Sequence, residues 1–157
     1  MKNDDEVKDF VEEQEREMSP RVKELIRACA LKNDDIRKGI PVNWLVNRIL
    51  YEKVVKKIHV EDFMRVKLWN VCLVLTPKVL ESQSIWAILD KTQNFKDFCF
   101  DNDPYKEHDF GNFKIKNEGT FYFKFDYFKD NSMEFGSENH LINDSYRGLT
   151  IMHSSEY

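Results

Sequence analysis

The chain has 157 residues, of which 41% are hydrophobic and 33% charged, a balance that suits one folded domain and excludes a disordered chain. Its formal net charge of −4 is too small and too mixed for an electrostatic nucleic-acid binder and offers no polybasic patch to a membrane. No stretch approaches the roughly 18 apolar residues that span a bilayer, and the acidic opening lacks the basic and apolar regions of a secretory signal, so cytoplasmic residence is expected.

Residues 3–17 are charge-rich, and Val7, Phe10, Val11 and Gln14 mark at most a weak, solvated helix. Ser19 and Pro20 are a sharper signal, because Ser caps helices and Pro is favoured at the first helical position. Val22, Leu25, Ile26, Cys29 and Ala30 follow at helical spacing. Asn33, Asp34 and Asp35 can cap or turn the chain, and Gly39 breaks the pattern before Pro41. A second helix then carries Val42, Leu45, Val46, Ile49, Leu50 and Val54 on an apolar face flanked by Trp44 and Tyr51. Lys53, Lys56 and Lys57 suit the negative end of its dipole. As a DNA-binding helix pair these two have only weak support from charge and motif.

Residues 60–69 read as another short helix. Val71 to Leu75 is an apolar run with β-branched members, which suits a buried strand. Thr76 and Pro77 end it and start a helix whose buried side is Val79, Leu80, Ile85, Trp86, Ile88 and Leu89. A polar loop covers residues 101–109. Phe113 and Ile115 alternate with Lys114 and Lys116, and Asn117, Glu118 and Gly119 make a turn into the clear period-two run Phe121, Phe123, Phe125 and Tyr127, so a β-hairpin is expected. Residues 130–144 read as a long loop, and Leu149 to Met152 as a final buried element, strand or short helix. Trp44, Trp69 and Trp86 are expected as core or half-buried anchors. Cys29, Cys72 and Cys99 are odd in number and widely spaced, which speaks against disulfides and paired-cysteine metal sites and for small core residues in a reducing compartment. Helices followed by strands with one intervening helix make the fold class α+β, with a small, mostly antiparallel sheet. A helical region over residues 1–57 and an α+β unit over 58–157 are expected to form one compact body.

The most distinctive stretch is Asn102, Asp103, Pro104, Tyr105, Lys106, Glu107, His108, Asp109, Phe110 and Gly111, which gathers acids and a histidine where a loop enters a strand. His serves as base, acid or metal ligand, and Glu107 and Asp109 flank it. In extended backbone they would point away from His108; a loop can bring all three together. Structural readings stand beside the chemical one: Asp103 and Pro104 as a turn, Asp126 and Arg147 as a salt bridge, Glu156 and Tyr157 as ties for the last segment. His59, His140 and His153 are isolated and read as surface or supporting groups. No HExxH, phosphate loop or GxSxG is present.

From about Val60 onward the chain resembles the bacterial domain-of-unknown-function 3768 family. The resemblance rests on Asp62, Phe63 and Arg65; on Val74, Leu75, Thr76 and Val79; and most strongly on Asn102 to Tyr105 with Glu107 to Gly111. Lys124, Asp126, Tyr127, Arg147, Leu149 to Met152, Glu156 and Tyr157 complete it. Lys106, Phe128 and Gly148 depart from residues usual in the family. The resemblance implies no established activity; it implies a setting on plasmids and other mobile elements.

Two functions follow. The favoured one is a protein-binding or inhibitory module, acting in counter-defence or regulation on a host or bacterial protein, with Asp103, Tyr105, Glu107, His108, Asp109, Tyr127 and Arg147 as binding residues. The other is a small metal-dependent or acid–base hydrolase with Glu107, His108, Asp109 and Asp126 as catalytic candidates. No cofactor and no metal ligand set is called for by spacing, and the oligomeric state is left open.

Overall fold

The structure is a computed structural model that describes residues 5–6, 18–57 and 62–157. Apart from Asp5 and Glu6, the weak helix expected over residues 3–17 lies outside the described residues, as do His59 and the segment 58–61 beside the expected division of the chain.

Helix α1 spans Pro20–Lys38, with the Ser19 hydroxyl accepting the Val22 N–H at its start and Gly39 at its end. Asn33, Asp34 and Asp35 do not break it; they sit in its last turns, where tertiary contacts outweigh their local turn preference. Helix α2 spans Val42–Val54. Strand β1, Met64–Lys67, replaces the helix expected over residues 60–69, because Met64 and Val66 bury while Arg65 and Lys67 stay wet, a two-residue period too short to stand out in sequence. Strand β2 is Val71–Leu75. The helix expected after Thr76 is two, α3 (Pro77–Glu81) and α4 (Ile85–Gln93), separated by an extended Ser82. Strands β3 (Phe110–Ile115) and β4 (Gly119–Phe128) form the expected hairpin, and β5 (Tyr146–His153) precedes the 3-10 turn η1 (Ser154–Glu156).

The five strands form one mixed sheet in the order β1-β2-β5-β4-β3. The fold class is α+β. Only the β2–β5 pair is parallel. The registers put Val71, Leu73 and Leu75 of β2, Leu149 and Ile151 of β5, and Phe121, Phe123 and Phe125 of β4 on one face. That face packs against Ile36 and Ile40 at the end of α1, Leu45, Val46 and Ile49 of α2, Val79 and Leu80 of α3, and Ile88 and Leu89 of α4, in one continuous apolar cluster. Gly111 lets β3 pass close to this layer, since a Cβ there would lie 2.4 Å from the Phe123 ring and 2.7 Å from that of Phe95. The opposite face carries Tyr122, Lys124, Asp126 and Phe128.

Two expectations about large and sulfur side chains fail, at Trp69 and Cys99. Trp44 and Trp86 are about half-buried, as expected, whereas Trp69 is 95% exposed in the tight β1–β2 connection. Cys29 and Cys72 are buried, while Cys99 is exposed in the loop after α4. Glu156 ties the segment after β5 as expected: its carboxylate accepts from Thr76 Oγ1 at 2.7 Å, the Lys78 N–H and the His153 N–H, and so also caps α3.

Candidate functional site

One face of α1 repeats every fourth residue as Cys29, Asn33 and Arg37, all buried. This polar ridge meets the end of the sheet where Tyr127 and Arg147 are cross-strand partners on the inner face. The loop 101–109 closes over both. It turns through left-handed backbone at Lys106 (φ 59°) and His108 (φ 55°), a conformation that costs on the order of 1 kcal/mol in each non-glycine residue. Asp103 holds that turn by accepting the His108 N–H at 3.0 Å.

The coiled loop sends its charged side chains in different directions. Glu107 points inward: Oε1 lies 2.9 Å from His140 Nε2, Oε2 accepts from the Tyr127 hydroxyl at 3.3 Å, and the Glu107 carbonyl accepts from Asn33 Nδ2. His108 lies between Asp34, whose oxygens are 2.9 and 3.0 Å from Nδ1, and Phe98, whose ring stacks parallel to it at 3.9 Å. Asp109 is held by burial, with Glu107 and Asp103 adding repulsion, at a pKa of about 6. Burial also raises the pKa of Asp103, against the hydrogen bond from His108.

Arg147 is buried, yet its hydrogen-bond partners among the described residues are neutral. Nε donates to Asn33 Oδ1 at 2.7 Å, Nη2 approaches Cys29 Sγ at 3.5 Å, and the guanidinium lies over the Tyr127 ring. It does not pair with Asp126, which points to the opposite face and contacts Lys124 at 3.3 Å. Tyr127 also stacks on His140 at 4.0 Å between centroids and receives Asn33 Nδ2 at 2.9 Å. Burial raises the pKa of both Tyr127 and Cys29.

Beside this cluster is a cavity of about 220 Å³ lined in part by Leu25, Cys29, Lys32, His140, Asn143 and Arg147. Cys29, Glu107 and His140 each offer one ligand atom, all within 4.8 Å of one another, and no other such group occurs among the described residues. Of the seven expected binding residues the structure thus gathers Glu107, Tyr127 and Arg147 in one network. It places His108 beside Asp103 and Asp34, and leaves Tyr105 exposed. Cys29, Asn33 and His140 are additions that sequence did not single out. Their partners lie far away along the chain, so no local spacing marks them.

A second feature lies on α2. Leu45, Val46 and Ile49 fill the core, but Leu50 and Val54, expected on the same apolar face, do not reach it. With Trp44, Tyr51 and Val55 they form an exposed apolar surface, over which Arg48 lies on the Trp44 ring and Lys56 on the Tyr51 ring. No described helix is long and apolar enough to cross a membrane.

Comparison with known proteins adds a family and no function. No curated protein and no solved structure gives a significant match. The family model described as "Protein of unknown function (DUF3768)" matches residues 75–156, just over half of the chain, from the end of β2 through η1. It begins later than the resemblance read from Val60 and includes Glu107, Tyr127, His140 and Arg147, with Cys29 and Asn33 contributed from outside it. The chain belongs to the DUF3768 family.

Proposed function

We propose that this protein is a binding module that docks an acidic, apolar-bordered surface of another protein through the outer face of α2. The observation that carries the reading is the exposed set Trp44, Leu50, Tyr51, Val54 and Val55 on one short helix. Single exposed apolar residues are ordinary, but a contiguous group of this kind marks contact surfaces. Trp, Tyr and Arg are also the residues that most often dominate binding energy. Residues 20–57 carry ten basic and four acidic side chains within a chain of net charge −4, so the helical layer favours an acidic partner and would speed its encounter.

The mobile-element setting implied by the family resemblance makes a host or bacterial protein the partner class, and inhibition of that partner the finer reading. Tyr105 is the one loop candidate exposed enough to join a contact directly. The hydrolase alternative has less support, because Asp126 lies on the other face of the sheet from Glu107.

A photo-crosslinking residue at Tyr51, with one at the exposed Glu134 as control, tests the reading in cells. The expected result is one protein captured from position 51 alone, whose purified form binds the wild type and not a folded Trp44→Ala, Tyr51→Ala variant. Equal capture from both positions, or unchanged binding by the double variant, would remove α2 as the docking face.

A further inference from the structure

We infer that Cys29, Glu107 and His140 form a binding site for a divalent transition metal of the zinc class, with a fourth coordination position facing the adjoining cavity. The donor set is the first reason. A thiol, an imidazole and a carboxylate suit zinc and its neighbours, whereas magnesium and calcium take oxygen ligands almost alone. Three protein ligands with one open position is the arrangement of exchangeable rather than closed zinc sites.

Geometry is the second reason. Ligand bonds of about 2.0–2.3 Å in a tetrahedron need donor atoms to stand between three and four ångströms apart, and these three already lie within 4.8 Å of one another. The Glu107–His140 contact at 2.9 Å opens slightly when a metal ion replaces the hydrogen they share. The groups come from three separate segments: α1, the loop before β3 and the loop before β5. The fold therefore supplies the site, and no short motif could.

Glu107 and Cys29 also have hydrogen-bonding outer partners of the kind a metal centre needs, and the His140 ring is fixed by stacking. Tyr127 donates to the second oxygen of Glu107 and stacks on the His140 ring. Arg147 and Asn33 turn their N–H groups toward the Cys29 sulfur, at 3.5 and 3.9 Å, where they would stabilise a thiolate. Binding forms the metal–sulfur bond as the Cys29 thiol releases its proton to solvent. The loaded centre, Zn²⁺ with one thiolate, one carboxylate and neutral His140, has no net charge. The adjacent Arg147 guanidinium then favours a small anion or hydroxide at the fourth position. Cys29, His140 and Arg147 all line the cavity through which such a ligand would enter.

The site is independent of the α2 surface, so a partner gained or lost there leaves it untouched. The test is a titration of the full-length protein, without a histidine tag, with Co²⁺ followed by displacement with Zn²⁺. The expected result is a thiolate-to-cobalt charge-transfer band with the strong visible bands of a tetrahedral centre, both removed by zinc. Cys29→Ser should abolish the charge-transfer band, and His140→Ala should weaken binding at least about tenfold. Cys72→Ser and Cys99→Ser should change neither. Circular dichroism checks folding, with His140→Gln as the substitute if the alanine variant unfolds. Absence of the band, its survival in Cys29→Ser, or equal affinity in the folded His140 variant would overturn the assignment.

Discussion

Arg37 is the most deeply buried charged side chain described, at 1% exposure. Its guanidinium donates to the carbonyls of Thr92 and Phe95 at 2.9 Å and to Asp34, and lies over the rings of Phe98 and Phe123. It therefore fastens α1 to the end of α4. Its Nε has no partner among the described residues, so the burial is incompletely compensated. Arg37→Ala should lower stability by about 3–5 kcal/mol, the usual loss when one member of a buried pair is removed. Arg37→Met, which refills the space, should lose less. Urea denaturation followed by circular dichroism measures both. At Asp109 the effect is one of pH. Its pKa is about 6 in the folded, metal-free protein against 3.8 ordinarily, chiefly from burial. The folded state therefore holds a proton that the unfolded chain has lost. That contribution is complete below about pH 4, falls as pH rises, and is gone above about pH 6. Asp109→Asn should flatten this part of the stability–pH curve, and thermal melts across the range would show no flattening if the carboxylate is solvated.

At the scale of elements, legibility followed the period. The β4 run was readable because Phe121, Phe123 and Phe125 bury on one side while Tyr122 and Lys124 stay half-wet on the other. The same alternation in β1 spans four residues, too few to compete with a helical reading of the longer segment around it. In α2 the apolar stripe was visible but wider than the core could take, and its excess became the outer face. The β3–β4 turn was legible from its residue types. Asn117 has φ 68° there and Gly119 has φ 97°. Asn117→Gly should be tolerated, whereas Asn117→Val should destabilise the protein by on the order of 1–2 kcal/mol, the cost of left-handed backbone in an ordinary residue. Chemical denaturation of the pair checks this, and equal midpoints would mean the turn relaxes.

For the whole molecule, the class, strand β2 and the β3–β4 hairpin were within reach of the sequence, while strand β1, the strand order and the site were not. Glu107 and His108 drew attention as neighbours, yet they face different partners, and their companions Cys29, Asp34 and His140 come from segments with no local mark. The expected Asp126–Arg147 pair failed because cross-strand register puts the two on opposite faces. Strand β5 is the centre of the sheet, and Leu149 is fully buried between β2 and β4. Leu149→Ala should therefore cost about 2–5 kcal/mol, toward the upper end if the flanking strands cannot close the cavity, as a shift of the denaturation midpoint would report.

The placement of β5 also orders events in time. Strands β1 and β2 are close neighbours along the chain, as are β3 and β4, so each ribbon can form from local contacts. Joining them waits for β5, whose Arg147 must find Val71 across about half the length of the chain. Until then each ribbon presents a bare inner edge, the kind of surface on which unfinished chains stick to one another. This long-range pairing should therefore limit the rate of folding, and a nascent chain halted before β5 should be a client for chaperones rather than half of a finished protein.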